Sequence, residues 1–304
     1  MRSPLRNRTM TAMAIVGVAL LVNGCEAQSW GAPPAVENVP QAPAVSPAPP
    51  EAPPGLPPNS FTGLEARVQQ ATADAAKSGA DITAVVLDRT TGQIAASGAN
   101  QSFPMASVVK LFIADDLLLQ EAEGKTELSA ADRTSLDAML RSSDDSAAQN
   151  FWDRSGGNAV IARIKARYGL AGTTAPYNGR WDVTTSTAGD LVRYYDMLLD
   201  GSGGLPPQQA SIIMSNLAQS TPTGNDGYPQ RFGIPEGLYA EPVAVKQGWF
   251  CCWSGPNQLH VSTGVIGADR RYVMAISSLD PTSESAARQD ITQAVKTMFP
   301  GGTI

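Results

Sequence analysis

The sequence has few of the residues that build metal and redox sites. Its 304 residues include one histidine and three cysteines, and it contains no C-x-x-C pair. Protein zinc sites need several Cys or His ligands, so no metal site is expected, and no cofactor is expected either. Basic residues are also few, with 22 Lys and Arg against 28 Asp and Glu. Such an acidic chain is not expected to bind nucleic acid, or to attach to anionic lipid by charge.

The N-terminal apolar run, residues 12–22, is too short to span a membrane comfortably. It follows three arginines and ends at Val22-Asn23-Gly24-Cys25, which resembles a bacterial lipobox. The resemblance predicts removal of residues 1–24 as a signal peptide, and lipidation of Cys25 on the extracytoplasmic face of the cell membrane. Since the removed segment holds three arginines and no acid, the formal net charge would change from −6 to −9. The alternative is an ordinary secretory signal with a stray cysteine.

A proline-rich segment follows the predicted lipidation site. Eleven prolines lie within residues 31–58. Because proline fixes φ and removes a backbone donor, residues 25–59 are expected to form an extended tether without a core. The folded domain is expected to cover residues 60–304.

Cys251 and Cys252 are adjacent in the sequence. In an oxidising compartment they could form a vicinal disulfide, which is a rare pairing. Two small buried hydrophobic residues at a hairpin turn are slightly favoured over that pairing.

Hydrophobic periodicity predicts an α/β domain of the α+β type. One antiparallel sheet is expected to draw its strands from both chain ends, with the terminal helices packed on it and an all-helical subdomain inserted. A cleft between sheet and inserted half is the natural place for a site. The predicted helices are 60–78, 107–121, 130–141, 146–153, 158–168, 186–199 and 283–298, and the predicted strands are 82–87, 93–97, 243–249, 260–267 and 271–277.

Ser107-Val108-Val109-Lys110 stands at the start of a predicted helix. There the helix dipole and the backbone N–H of Ser107 would stabilise negative charge. Lys110 lies one turn further on the same face and, when neutral, could accept the hydroxyl proton. The alternative is an N-cap serine followed by a surface lysine.

Two further motifs follow in the sequence, Ser143-Asp144-Asp145 and Lys246-Gln247-Gly248-Trp249. The first precedes a predicted helix, where capping alone could explain it. The second lies on a strand, where lysine supplies positive charge and glycine permits close approach of a substrate backbone.

Together the three motifs resemble the S-x-x-K, S-D-N and K-T-G set of the serine β-lactamase and penicillin-binding superfamily, in particular its class A members. The resemblance covers roughly residues 60–299 and implies Ser107 as nucleophile, with Lys110 and Ser143 handling protons. It implies Lys246 as the cation of the site, and Trp249 as donor of a second oxyanion N–H. His260, on the following strand, would help to bind a substrate carboxylate or would be a structural histidine; the two are held equal.

Two departures from the family pattern affect the chemistry. Asp145 replaces the usual Asn, and a carboxylate beside Lys110 favours its protonated form. Gln247 replaces Thr or Ser, although its amide could still donate to a carboxylate. The family's loop glutamate, which activates the deacylating water, is also missing, because Asp182 is the one acid between Tyr168 and Thr184.

These features predict a membrane-anchored, penicillin-recognising serine hydrolase that is acylated at Ser107 by β-lactams or peptidoglycan-type peptides. Deacylation is expected to be slow, as in a weak β-lactamase or a penicillin-binding protein of the cell wall. The protein is expected to be a monomer. One alternative is a catalytically impaired cell-envelope binding lipoprotein on the same fold, and another is an ester or amide hydrolase unrelated to the cell wall.

Overall fold

The computed structural model describes Phe61 and residues 63–304. The predicted signal peptide, the lipidation site Cys25 and the tether 25–59 therefore lie outside the described residues. Within the described part of the chain, no helix is long and apolar enough to cross a membrane.

A five-stranded antiparallel sheet forms the centre of the fold, with strand order β2-β1-β7-β6-β5. Strands from the two ends of the sequence meet where Ala84 of β1 pairs with Ile276 of β7. The segment after residue 242 forms one β-hairpin of two long strands, in which Lys246 lies opposite Thr263. The strands are β1 (Asp81–Asp88), β2 (Gln93–Ser97), β5 (Val243–Trp253), β6 (Asn257–Ile266) and β7 (Tyr272–Asp280), and a separate two-stranded sheet pairs β3 (Ser102–Pro104) with β4 (Thr185–Thr187).

The two terminal helices pack against each other and against the sheet. These are α1 (Leu64–Ala76) and α9 (Glu284–Met298). Val68 of α1 and Ile291 of α9 belong to one apolar cluster that also includes Ile276 of the sheet. This burial joins the ends of the chain into one layer, as the sequence pattern predicts.

The helical half lies between β2 and β5 in the sequence. A second apolar cluster, which includes Phe112, Phe151 and Tyr194, forms its core. Helix α7 has no counterpart among the predicted elements, and neither has the β3–β4 pair. The helices are α2 (Lys110–Ala122), α3 (Ala130–Arg141), α4 (Asp145–Arg154), α5 (Asn158–Tyr168), α6 (Ala188–Asp200), α7 (Pro207–Ala218) and the single turn α8 (Ile234–Gly237).

Candidate active site

The three sequence motifs come together at one seam between the sheet and the helical half. Ser107 lies in a 3₁₀ turn, Ala106–Val109, which continues directly into α2. The α-helix therefore begins at Lys110, three residues later than predicted. The backbone N–H of Met105 donates to the carbonyl of Thr184 (2.8 Å), and this bond ties the turn to the segment beside β4.

Lys110 lies directly beside the predicted nucleophile. Its Nζ is 2.7 Å from Ser107 Oγ and 2.6 Å from an Asp145 carboxylate oxygen. Burial lowers the pKa of Lys110, while the carboxylate of Asp145 raises it again. A lysine whose pKa falls below its ordinary range is suited to remove a proton from Ser107.

Ser143 connects this lysine to the second one. Its Oγ accepts from Lys110 Nζ at 3.1 Å and from Lys246 Nζ at 3.0 Å. Lys246 is almost fully buried, and burial, together with the nearby charge of Lys110, lowers its pKa well below the ordinary value. Ser107, Lys110, Ser143 and Lys246 thus form one continuous hydrogen-bonded chain along which protons can move.

Asp144 has a structural role beside these groups. Its carboxylate accepts from the backbone N–H of Ala147 (2.8 Å) and so caps α4. A second oxygen accepts from the side-chain amide of Asn225 (2.7 Å). The capping explanation therefore applies to Asp144, while its neighbours Ser143 and Asp145 face Lys110.

Gly248 is required by the protein's own backbone. A Cβ at this position would lie 2.6 Å from the carbonyl oxygen of Met105 and 3.2 Å from the backbone N of Ser107. Strand β5 therefore packs directly on the turn that carries Ser107. This contact alone requires the glycine. The approach of a substrate backbone to Gly248 stays a prediction, and so do the two oxyanion donors, Ser107 N–H and Trp249 N–H.

The structure does not leave the Gln247 amide available to a substrate, contrary to the sequence-based expectation. The side chain is buried, and its Nε2 donates to the carbonyls of Phe232 (2.6 Å) and Gln230 (3.1 Å). Those bonds fix a loop behind the strand. Gln247 therefore supports the wall of the site from inside.

His260 fits the structural alternative better than the carboxylate-binding one. It is 1% exposed, and its Nε2 shares a 2.6 Å hydrogen bond with the hydroxyl of Tyr228. Burial, with a smaller contribution from Arg288, lowers the pKa of His260 to about 4. The imidazole is therefore neutral at physiological pH and offers no charge to an anion.

A cavity of about 520 Å³ opens in front of Ser107. One wall carries Trp249, whose ring stacks on Tyr228 with centroids 4.7 Å apart and whose Nε1 donates to Asp226 (3.2 Å). The opposite lining includes Trp181, whose ring lies 4.8 Å from Lys110 Nζ. Within residues 63–304, no cluster of His, Cys, Asp and Glu is arranged to hold a metal.

Cys251 and Cys252 are joined by a disulfide bond, and both are exposed. The favoured expectation of two buried thiols is therefore wrong. The pair lies near the tip of the β5–β6 hairpin, at a register shift between Cys251 and Trp253, so its side chains point away from the core. Cys251 also lines the cavity in front of Ser107.

Several residues of the cavity wall were missed by sequence reasoning, among them Trp181, Asp226 and Tyr228. Asp226 and Tyr228 stand in a Gly- and Pro-rich loop between α7 and α8, where no periodicity indicates which side chains turn inward. Trp181 carries a clearer signal, because a large aromatic residue in a loop needs a place to be buried, and here it joins the apolar cluster of the helical half. Asp182, beside it, forms an ion pair with Arg180.

A serine, two lysines and a bridging serine at the edge of an antiparallel sheet define a protein of the β-lactamase and penicillin-binding fold. The model of the β-lactamase enzyme family matches residues 64–134, which include Ser107 and Lys110. The chain is 59% identical over 265 residues to LppW of Mycobacterium tuberculosis and of Mycobacterium bovis, and the match covers 87% of this chain and 81% of LppW. LppW's name proposes that it is a lipoprotein. The chain belongs to the family of LppW, and the match of the β-lactamase family model to residues 64–134 agrees with the resemblance that the motifs predict.

Solved structures agree with this fold. The penicillin-binding protein PBP-A has a TM-score of 0.63 and 20% identity, with 80% of this chain and 97% of PBP-A covered. A class A β-lactamase from Mycobacterium abscessus has a TM-score of 0.59 and 21% identity, covering 77% of this chain and 97% of that enzyme. A point mutant of PBP-A, with a TM-score of 0.64 and 19% identity, was solved as an acyl-enzyme complex with penicillin G, with 80% of this chain and 98% of the mutant covered.

Proposed function

We propose that this protein is a serine acyl-transfer enzyme that reacts through Ser107 with β-lactams or peptidoglycan-type peptides and releases the acyl group slowly. The observation that carries the proposal is the 2.7 Å contact between Ser107 Oγ and Lys110 Nζ at the edge of a cavity. A nucleophile with an adjacent buried base is the arrangement that covalent catalysis needs. The membership of the β-lactamase-like family supports the same reaction class.

Acylation begins when Ser107 Oγ attacks the carbonyl carbon and its proton moves to neutral Lys110. The oxygen of the tetrahedral intermediate would be stabilised by the backbone N–H groups of Ser107 and Trp249. Ser143 lies between the two lysines and can pass the proton to the leaving nitrogen. The C–N bond then breaks, which leaves an ester on Ser107.

The second half of the reaction needs a base that activates a water molecule. The family's loop glutamate is absent, and Asp182 is already paired with Arg180. A water molecule without a positioned base attacks an ester slowly, because general base catalysis contributes about 10²–10⁴-fold. A long-lived acyl-enzyme is therefore the expected state, as in a penicillin-binding protein or a weak β-lactamase.

We also propose that the enzyme is held on the extracytoplasmic face of the cell membrane by lipid on Cys25. The lipobox-like sequence and the name of LppW support this location. The substrate would be a small molecule or peptide of the cell wall. A monomer fits a site that is assembled from one chain.

A second function is favoured by one specific contact. The carboxylate of Asp145 lies 2.6 Å from Lys110 Nζ and opposes its loss of a proton. If Lys110 stays protonated, the cleft would bind a cell-envelope ligand without reacting. The enzyme and the binding lipoprotein differ in whether ligand becomes bonded to Ser107.

Intact-mass analysis of the full chain with benzylpenicillin distinguishes the two. The expected result is an adduct that persists for minutes to hours, is lost in Ser107→Ala and is kept in Ser215→Ala, an exposed serine on α7. Absence of any adduct on the folded wild-type chain would favour the binding lipoprotein. Rapid turnover of a chromogenic cephalosporin would overturn slow deacylation while keeping acylation.

A further inference from the structure

The indole of Trp181 covers the amine of Lys110, and the proposed mechanism gives this contact no role. The ring centroid lies 4.8 Å from Lys110 Nζ, within the range of a cation–π contact. Trp181 is 8% exposed, and it lines the same cavity as Ser107. A water that attacks an acyl group on Ser107 must give up a proton nearby, and Lys110 is the base beside that oxygen.

The amine of Lys110 has four oxygen neighbours besides the indole. Besides the Ser107 hydroxyl and the Asp145 carboxylate, Nζ contacts the Ser143 carbonyl (2.7 Å) and the Ser143 hydroxyl (3.1 Å). When Lys110 is neutral, its nitrogen keeps one lone pair, and that lone pair is what would accept a proton from water. The lysine side chain is 0% exposed, and the indole closes the remaining direction.

Trp181 is held in this position from two sides. Its Nε1 donates to Oε1 of Gln149 (3.1 Å), a residue on the exposed face of α4. Its carbonyl accepts from the backbone N–H of Thr184 (3.1 Å), and Thr184 is bonded in turn to Met105, two residues before Ser107. The ring is therefore fixed relative to the nucleophile.

We propose that Trp181 is a positioning residue that keeps water away from Lys110 and so sets the lifetime of the acyl-enzyme. The inference rests on the proposed function, because it concerns the second half of that reaction. In hydrolysis, the water oxygen bonds to the acyl carbon while its proton passes to neutral Lys110. The bond from that carbon to Ser107 Oγ then breaks, the proton moves from Lys110 to Oγ, and the acid product leaves. The indole blocks the first of these steps.

The test uses the full chain and measures acylation and deacylation separately. Benzylpenicillin forms the adduct, excess reagent is removed, and intact mass follows loss of the adduct with time. We expect Trp181→Ala to release the acyl group about tenfold faster, less than the 10²–10⁴-fold of a fully positioned base. Trp181→Phe keeps a ring over Lys110 and is expected to stay within about threefold of the wild-type deacylation rate.

Gln149→Ala provides a second variant that does not disturb the core. It removes the hydrogen bond that orients the indole and leaves the ring present, so a smaller acceleration is expected. The pH dependence of the deacylation rate distinguishes access of water to Lys110 from a general loosening of the fold around the site. In Trp181→Ala, deacylation should rise with pH as Lys110 loses its proton, whereas loosening alone would change deacylation equally at every pH.

Three results would count against the inference. Unchanged deacylation in a folded Trp181→Ala, or in Gln149→Ala if the first variant does not fold, would overturn it while the proposed function stands. An equal acceleration in Trp181→Phe would assign the effect to lost packing and would also overturn it. If wild type and all variants fail to form an adduct, the proposed function fails, and this inference fails with it.

Discussion

Two buried charged residues of helix α2 form ion pairs that differ in what surrounds them. Lys110 and Asp115 both have 0% exposed side chains, and each meets an opposite charge. The partner of Lys110, Asp145, is 69% exposed and lines the cavity of Ser107. The partner of Asp115, Arg167, is 19% exposed and lies away from that cavity.

The contrast shows that a buried charge alone does not mark a functional site. Asp115 accepts from Arg167 and from the hydroxyls of Tyr168 and Tyr194, so its oxygens are satisfied inside the core. Burial raises the pKa of Asp115, although these donors oppose the rise. Lys110 has its charge partner at an open surface and a hydroxyl next to it. The open side and the neighbouring nucleophile distinguish a reactive pair from a structural one.

Lys110→Met should have the largest effect on chemistry. Methionine keeps the length of the side chain and removes the base, so acylation by benzylpenicillin should fall by about 10²–10⁴-fold. Intact-mass time courses measure the rate, and thermal unfolding checks the fold. Lys77→Met is the matched control, because Lys77 is also paired to a carboxylate but its side chain, just after α1, is 75% exposed. Wild-type acylation in Lys110→Met would show that Ser107 does not use this base.

Asp115→Asn should have the largest effect on stability and little effect on chemistry. Breaking a buried ion pair costs about 3 kcal/mol, and Tm should fall by about 10 °C for a domain of this size. Calorimetry measures Tm, and intact mass measures the acylation rate of the folded fraction. Asp196→Asn, which breaks the half-exposed pair with Arg89, should cost less than about 1 kcal/mol. Loss of acylation in a folded Asp115→Asn would show that the Asp115–Arg167 pair also contributes to the reaction, contrary to the comparison with Lys110–Asp145.

Asp145→Asn should change the acylation rate less than Lys110→Met does, and should increase it. Asp145 raises the pKa of Lys110, so its removal lowers that pKa further, although Asp144 and Asp226 still act in the raising direction. Acylation needs neutral Lys110 and therefore increases with pH through this pKa. A lower pKa moves the rise to lower pH, so the acylation rate at pH 7 should increase.

The pH profile of acylation from about pH 5 to 9 measures this shift. Asp137→Asn removes the same charge from α3 and is expected to leave the profile in place. An unshifted or upward-shifted profile in Asp145→Asn would mean that Asp145 does not tune Lys110.

The central sheet could be predicted because its strands carry a dense local signal. Residues 82–87 and 271–277 are rich in β-branched and apolar residues, and pairing them follows from antiparallel geometry. The resulting architecture is confirmed by the structure and by its relatives. Helix α7 carries a weaker signal, because the Gly-, Ser- and Pro-rich stretch that leads into it, residues 201–207, is typical of a loop.

For the candidate site, the sequence indicates which residues meet but not how all of their side chains are directed. Motif spacing indicates that Ser107, Lys110, Ser143 and Lys246 meet, because each motif occupies a known place in the family fold. The direction of a side chain on a strand depends on the layer behind it. Gln247 turns to two backbone carbonyls, and His260 binds a tyrosine hydroxyl that no local pattern indicates. Their roles as carboxylate ligands could not be judged before the packing was known.

Gly248 has a mechanical consequence for the candidate site. Because the Met105 carbonyl oxygen stands 2.6 Å from where a Cβ would be, strand and nucleophilic turn are in backbone contact, with no side chain between them. Neither can shift without moving the other. A ligand that separated β5 from this turn would therefore displace Ser107 without contacting its hydroxyl. Such a ligand would inhibit the site from outside the cavity.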